Sequence, residues 1–218
     1  MRKRRNKLSK KKVAKKVSGY SLKGSVWWGI FWFFLLVFID QATKFMAEAY
    51  FTRPSAKSEV PLIDGWLAFC LHYNDGIAFS WLQDAGPWVK IAVVVGTAVM
   101  MTLLTVFYFR LDKRRAWLRW ALVFVVAGGV GNLIDRVYFQ VWDTSSLLGV
   151  RDMVDLSKFG FGICNFADFF ISGGAVALVL ALLFFDCDAL FPVGKYQVMA
   201  QEYELVENDK ISKVEYDG

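Results

Sequence analysis

Four stretches of the chain are almost wholly apolar, at about 25–46, 88–109, 116–135 and 166–185. Each is roughly 20 residues, the length a helix needs to cross about 30 Å of hydrocarbon. The pattern changes between the first two. There "GWLAFCLHYNDGIAFSWL" holds two short apolar-aromatic runs broken at Asn74-Asp75-Gly76, a hairpin signal. In "DAGPWVK", Asp84 is placed to cap the second helix and Pro87 to sit in its first turn. The prediction is an all-α membrane protein. Its four transmembrane helices lie within residues 25–185, with a small β-element at the extracytoplasmic surface and tails at 1–24 and 186–218. The first run follows a basic stretch, as in a signal peptide. No small-residue cleavage site comes after it and the run continues into "FIDQATKF", so it reads as a retained span.

Composition agrees: 56% of the residues are hydrophobic, with 20 Phe and 9 Trp, an excess foreign to soluble domains. Charge adds direction. Residues 1–24 hold 11 Lys or Arg and no acid, while the rest holds 15 basic and 20 acidic residues. The net charge of +6 is therefore the property of a tail, suited to anionic lipid rather than nucleic acid. The connection at 110–119 carries Arg110, Lys113, Arg114, Arg115 and Arg119. Basic segments stay in the cytoplasm, which puts both termini and this connection inside and residues 47–87 and 136–165 outside. The tail 186–218 reads as a short extension without a motif. Cys70, Cys164 and Cys187 lack metal-ligand spacing and read as unpaired thiols. His72 is the only histidine, which rules out a two-His metal site; no metal and no cofactor are expected.

With that orientation the polar residues of the spans gather at one depth. Asp40, Thr43 and Lys44 sit near the outer end of the first span, Asn132, Asp135 and Arg136 at the outer end of the third, and Asn165 and Asp168 at the outer start of the fourth. Each set is spaced i, i+3 or i+4 and so shares one helical face. Acids in a span are costly, and their clustering points to a shared task. Gly128, Gly129, Gly131, Gly173 and Gly174 allow spans three and four to approach, which would bring Asp135 to Asp168. Two nearby carboxylates cannot easily both ionise. One keeps a proton and the other is a base, the arrangement for hydrolysing an amide. Arg136 favours the ionised form of Asp135, leaving Asp168 as the proton holder.

The same residues resemble a family, the bacterial lipoprotein signal peptidases (signal peptidase II). "DQATK" resembles the family's D-x-x-[S/T]-K, and "NDGIAFS" its N-x-G-A-x-F-S with Ile77 for Ala. "GGVGNLIDR" resembles Gly-Gly-x-Gly-Asn-x-x-Asp-Arg, and "MVDLSKFGFGICNFADFFI" its V-D-F followed by F-N-x-A-D, with Leu156 and Cys164 in place of two phenylalanines. The resemblance implies a metal-independent aspartyl endopeptidase of the bacterial inner membrane, with four transmembrane helices and an extracytoplasmic β-cradle. Its substrate would be a prolipoprotein carrying diacylglycerol on the lipobox cysteine, cut just before that cysteine. Asp135 and Asp168 would be catalytic. Asn74, Gly76, Asn132, Arg136 and Asn165 would orient substrate and dyad, Asp40 and Lys44 would hold the cleft, and Asp155 would be a supporting acid. Both tails lie outside the resemblance.

Other classes fit less well. A Gly-x-Gly-Asp intramembrane protease would need Asp where Asn132 follows Gly129-Val130-Gly131. A small proton-coupled transporter using the same aspartates would want ionisable groups near the midplane and internal repeats. A structural subunit of a membrane complex leaves the clustering unexplained.

Overall fold

The computed structural model of the protein describes residues 25–74, 86–111, 115–142, 149–186 and 189–201. Four helices among them are long and apolar enough to cross a membrane. Helix α1 spans Ser25–Phe51, α2 Pro87–Arg110, α3 Ala116–Arg136 and α4 Phe166–Leu180, the last continuing as a π-helix over Ala181–Phe185. Helix α1 runs past the expected limit at 46 to Phe51, because "MAEAYF" keeps strong helix formers after the apolar run ends. That extra turn carries Glu48. Pro87 opens α2, where its missing N–H is no loss.

Helix α3 is the centre of the bundle. Its most apolar window is 61% buried, against 22% for α1 and 11% for α2 and α4, whose remaining faces are left to lipid. Its contact with α4 depends on small residues. A Cβ on Gly128 would run into the Ala167 carbonyl oxygen, and one on Gly174 would stand 2.9 Å from the Val125 amide. The other expected glycines serve elsewhere or not at all: Gly129 faces Met101 of α2, Gly131 faces Asp40 of α1, and Gly173 has open space. An apolar core of Leu36, Tyr108, Leu118, Leu122 and Ala127 joins the helices on the side away from the sheet.

A four-stranded antiparallel sheet, in the order β1-β2-β3-β4, covers the end of the bundle where α1 and α3 finish and α4 begins. Its strands are β1 (Glu59–Ile63), β2 (Leu67–Asn74), β3 (Val150–Asp155) and β4 (Ile163–Cys164). The hairpin expected at Asn74-Asp75-Gly76 falls outside the described residues, and a different one joins β1 to β2. It turns at Asp64-Gly65-Trp66, where Gly65 takes φ 74° and Ile63 pairs with Leu67. Asn74 ends β2, opposite Val150 of β3. Gly76, Asp84, Lys113, Arg114, Cys187 and most of both tails lie outside the described residues.

Two irregular segments complete the frame. Helix α3 loosens into a π-helix over Val137–Trp142, which turns Phe139 and Gln140 inward under the sheet. At the far end, 189–201 is more than a plain extension. It folds back so that Trp117 donates to the Tyr196 hydroxyl, with Phe185 beside the Tyr196 ring.

Candidate active site

Helix α1 sets one wall. Asp40 and Lys44, one turn apart and fully buried, form an ion pair at 2.9 Å. Asp40 also accepts from Gln41 Nε2 (3.0 Å) and from the Ala167 amide of α4 (2.9 Å). The ammonium of Lys44 reaches α3, donating to Asn132 Oδ1 at 2.9 Å and lying 3.6 Å from Asp135. A buried charge is tolerated only when paired and hydrogen-bonded, and each of these is.

Helix α4 sets the opposite wall through its first turn. Asn165 is the N-cap and accepts from the Asp168 amide, while Asp168 Oδ2 accepts from the Asn165 amide at 3.0 Å, a reciprocal capping box. Asp168 Oδ1 takes a hydrogen bond from Asn132 Nδ2 at 2.8 Å. Its carboxylate is thus aimed by the helix's own start signal and sits at the favourable end of the α4 dipole.

The acid facing Asp168 across Asn165 is Asp152 of β3, a residue absent from the expected set. Asn165 Nδ2 donates to Asp152 Oδ1 at 2.6 Å and Asn74 Nδ2 to its Oδ2 at 3.1 Å. Burial, and then the charge of Asp168, push the Asp152 carboxyl up to about 7, against the pull of the Asn74 and Asn165 hydrogen bonds and of Lys44. Asp135 is committed elsewhere. Arg151 grips it through Nη2 to Oδ1 (2.8 Å) and Nε to Oδ2 (3.2 Å), and the Arg151 backbone N–H adds a third bond at 2.9 Å. The acid that Asn165 joins to Asp168 is therefore Asp152, while Asp135 is held by Arg151 and Lys44. Arg136 lies within electrostatic reach of Asp168, Asp152 and Asp135 alike.

Asp155, the expected supporting acid, points away. It is held below the usual carboxylate range by hydrogen bonds from Ser157 and caps a 3-10 turn on the exposed side of the sheet. The pattern V-D-F fits Val154-Asp155-Leu156, and set three residues earlier, on Arg151-Asp152-Met153, it lands on the buried acid. The arginine in place of valine hid that register. A signal was present all the same: "VRDMV" is buried throughout, and two adjacent charges in a buried strand need partners.

The contacts close into a circuit. Tyr73 donates to Glu48 at 2.6 Å, Arg151 joins Glu48 (2.9 Å) to Asp135, and Lys44 joins Asp135 to Asn132. From Asn132 the path runs to Asp168, Asn165, Asp152 and Asn74, the neighbour of Tyr73 in β2. Every helix except α2 contributes to it. Among the described residues no group of His, Cys, Asp and Glu has the arrangement of a metal site.

Fold and site together define a multi-pass membrane protein with a buried carboxylate cluster under a small sheet. The comparisons say which. The family description Signal peptidase (SPase) II matches residues 32–184. A lipoprotein signal peptidase of Pseudomonas fluorescens (strain Pf0-1) is 33% identical over 153 residues, covering 68% of this chain and 84% of that protein. One of Fusobacterium nucleatum is 34% identical over 159 residues, covering 72% and 87%. A bacterial membrane enzyme solved in meso at 2.3 Å superposes with a TM-score of 0.58 at 26% identity, covering 71% of this chain and 87% of that one. The chain belongs to the signal peptidase II family. It is a membrane-embedded protease that processes the signal peptides of prolipoproteins.

Proposed function

We propose that the protein is an aspartyl endopeptidase that cleaves diacylglyceryl-modified prolipoproteins just before the lipidated cysteine, with Asp152 and Asp168 as the catalytic pair. The observation that carries this is the single residue Asn165, whose backbone N–H holds the Asp168 carboxylate and whose side-chain amide holds that of Asp152. With its raised proton affinity Asp152 is the acid and Asp168 the base. Asp168 takes a proton from water as the oxygen attacks the scissile carbonyl, and Asp152 gives its proton to the carbonyl oxygen. When the C–N bond breaks, the proton on Asp168 passes to the leaving nitrogen and a hydroxyl proton of the collapsing intermediate returns to Asp152. Asn132, Asn165 and Asn74 keep the carboxylates aimed, Asp40 and Lys44 hold α1 to α3 and α4, and Arg136 tempers the negative charge. Gly76, two residues beyond Asn74 in the sequence, is assigned to substrate binding in this reading.

The basic tail and the 110–119 connection support a cytoplasmic placement of both termini. The sheet and the acids then lie at the outer face of the inner membrane, the depth at which the lipidated cysteine of an exported precursor arrives. Precursor, membrane lipid and water are the only partners this chemistry requires.

The test is cleavage of a diacylglyceryl precursor peptide in detergent. Asp152→Asn and Asp168→Asn should each abolish cleavage while precursor binding persists, and the double variant should be no worse than either, since the pair acts as a unit. Near-normal cleavage by Asp152→Asn would return the partner role to Asp135.

A further inference from the structure

Arg151 sits at the junction of sheet and bundle, and the chemistry just described does not use it. Its side chain is 11% exposed. Besides its fork on Asp135 it donates to Glu48 Oε2 at 2.9 Å and to Gln41 Oε1 at 3.3 Å, and its guanidinium lies 5.3 Å from the Phe139 ring centre. Glu48 is held in turn by the Tyr73 hydroxyl of β2. One side chain thus ties β3 to α1, to α3 and, through Glu48, to β2. The guanidinium is planar and rigid, so two-point contact with a carboxylate fixes direction as well as distance.

Neighbouring residues of a strand project to opposite faces. Clamping Arg151, including its backbone N–H, therefore fixes the angle at which Asp152 leaves the strand on the other face. The β2–β3 register is irregular between Phe69 and His72, beside Asp152, so the ladder alone pins this part of β3 loosely.

We propose that Arg151 is a positioning residue for peptide-bond cleavage: with Glu48 and Tyr73 it clamps β3 to α1 and α3 and thereby holds Asp152 against Asp168. This rests on Asp152 and Asp168 being the catalytic pair. The charged and titratable groups facing Asp152 are Asp168 of α4, Lys44 of α1, Arg136 of α3, and the thiols of Cys70 in β2 and Cys164 in β4. Loosening β3 takes Asp152 from the Asp168 charge and from burial, and both of those raise its proton affinity.

The experiment measures cleavage against pH for the detergent-solubilised full chain and for Arg151→Met, Arg151→Lys and Tyr73→Phe, with rates expressed per molecule that binds an uncleavable precursor. Arg151→Met should lose about 100-fold in kcat, the scale of a misplaced catalytic group, with KM unchanged. The alkaline limb of its profile should move to lower pH. Arg151→Lys keeps the charge without the fork and should recover part of the rate, while Tyr73→Phe, which removes only the hydroxyl on Glu48, should shift the limb in the same direction by less. If Arg151→Met instead loses only binding-competent molecules, and the remainder cleave with the wild-type limb and kcat, Arg151 is fold glue and the proposal fails. If Arg151→Met does not fold, Tyr73→Phe with a wild-type limb and rate overturns it. The unmodified chain and Asp168→Asn run in the same assay: no cleavage by the first, or full cleavage by the second, would count against the peptidase reading rather than against Arg151.

Discussion

Replacing Asp152 with Asn should stabilise the protein in alkaline buffer while removing its activity, and the size of the effect can be worked out. The carboxyl has a proton affinity near 3.8 when unfolded and about 7 in the fold. Between those pH values the folded state binds more protons than the unfolded one, so stability is full at low pH and falls as pH rises towards 7. Three units correspond to roughly 4 kcal/mol lost above pH 7, and with Asp152 only 2% exposed there is little screening by water to reduce it. Asn at this position has no charge to desolvate. It keeps one acceptor for Asn165, but its amide would face the Asn74 amide, which must turn over; an unmade hydrogen bond costs about 1–3 kcal/mol. That cost is independent of pH and cancels when each protein is compared with itself at pH 5 and pH 8. Thermal unfolding in detergent should therefore give a wild-type stability that drops across this range and an Asp152→Asn stability that stays much flatter. Parallel curves for the two proteins would mean that Asp152 is already ionised at pH 5, and the acid role given to it would fall.

Three further outcomes follow from the same geometry. Asp155→Ala removes only an exposed cap on Ser157, so it should cost about 1 kcal/mol in unfolding experiments and cleave precursor at the wild-type rate. Lys44→Met leaves Asp40 and Asp135 buried without their shared cation and should destabilise the protein by about 3–5 kcal/mol, read as a fall in the temperature at which it aggregates in detergent. Burial, together with Asp155 for Cys70 and Asp168 for Cys164, pushes these thiols up to about 11 and about 12, so they remain protonated at pH 8; brief iodoacetamide treatment should leave both unmodified by mass spectrometry.

Hydropathy made the four spans readable, because the length of an apolar run is fixed by the bilayer rather than by tertiary context. Asp40 with Lys44, and Asn165 with Asp168, were readable as pairs because helical spacing brings them together locally. The partner of Asp168 was not. It comes from a strand whose position is set by pairing with β2, some 80 residues earlier in the chain, and no local pattern encodes that distance. The same holds for Arg151, whose carboxylate lies on another element. The hairpin at Asp64-Gly65 was missed for a different reason: the first loop holds two Asx-Gly breaks, and the apolar-aromatic pattern drew attention to the second.

The circuit of hydrogen bonds has a bearing on how the enzyme comes into being. Of the four described spans α4 leaves the ribosome after the others, and it brings Asp168, Asn165 and the Ala167 amide that Asp40 requires. Until it inserts, Asp40 and Lys44 already lie in the bilayer with their shell incomplete, and Asp152 lacks the Asn165 amide that holds it. A chain ending before α4 therefore lacks the amide that completes the Asp40 shell and the asparagine that holds Asp152. The buried polar circuit is thus closed only when the fourth span is in place.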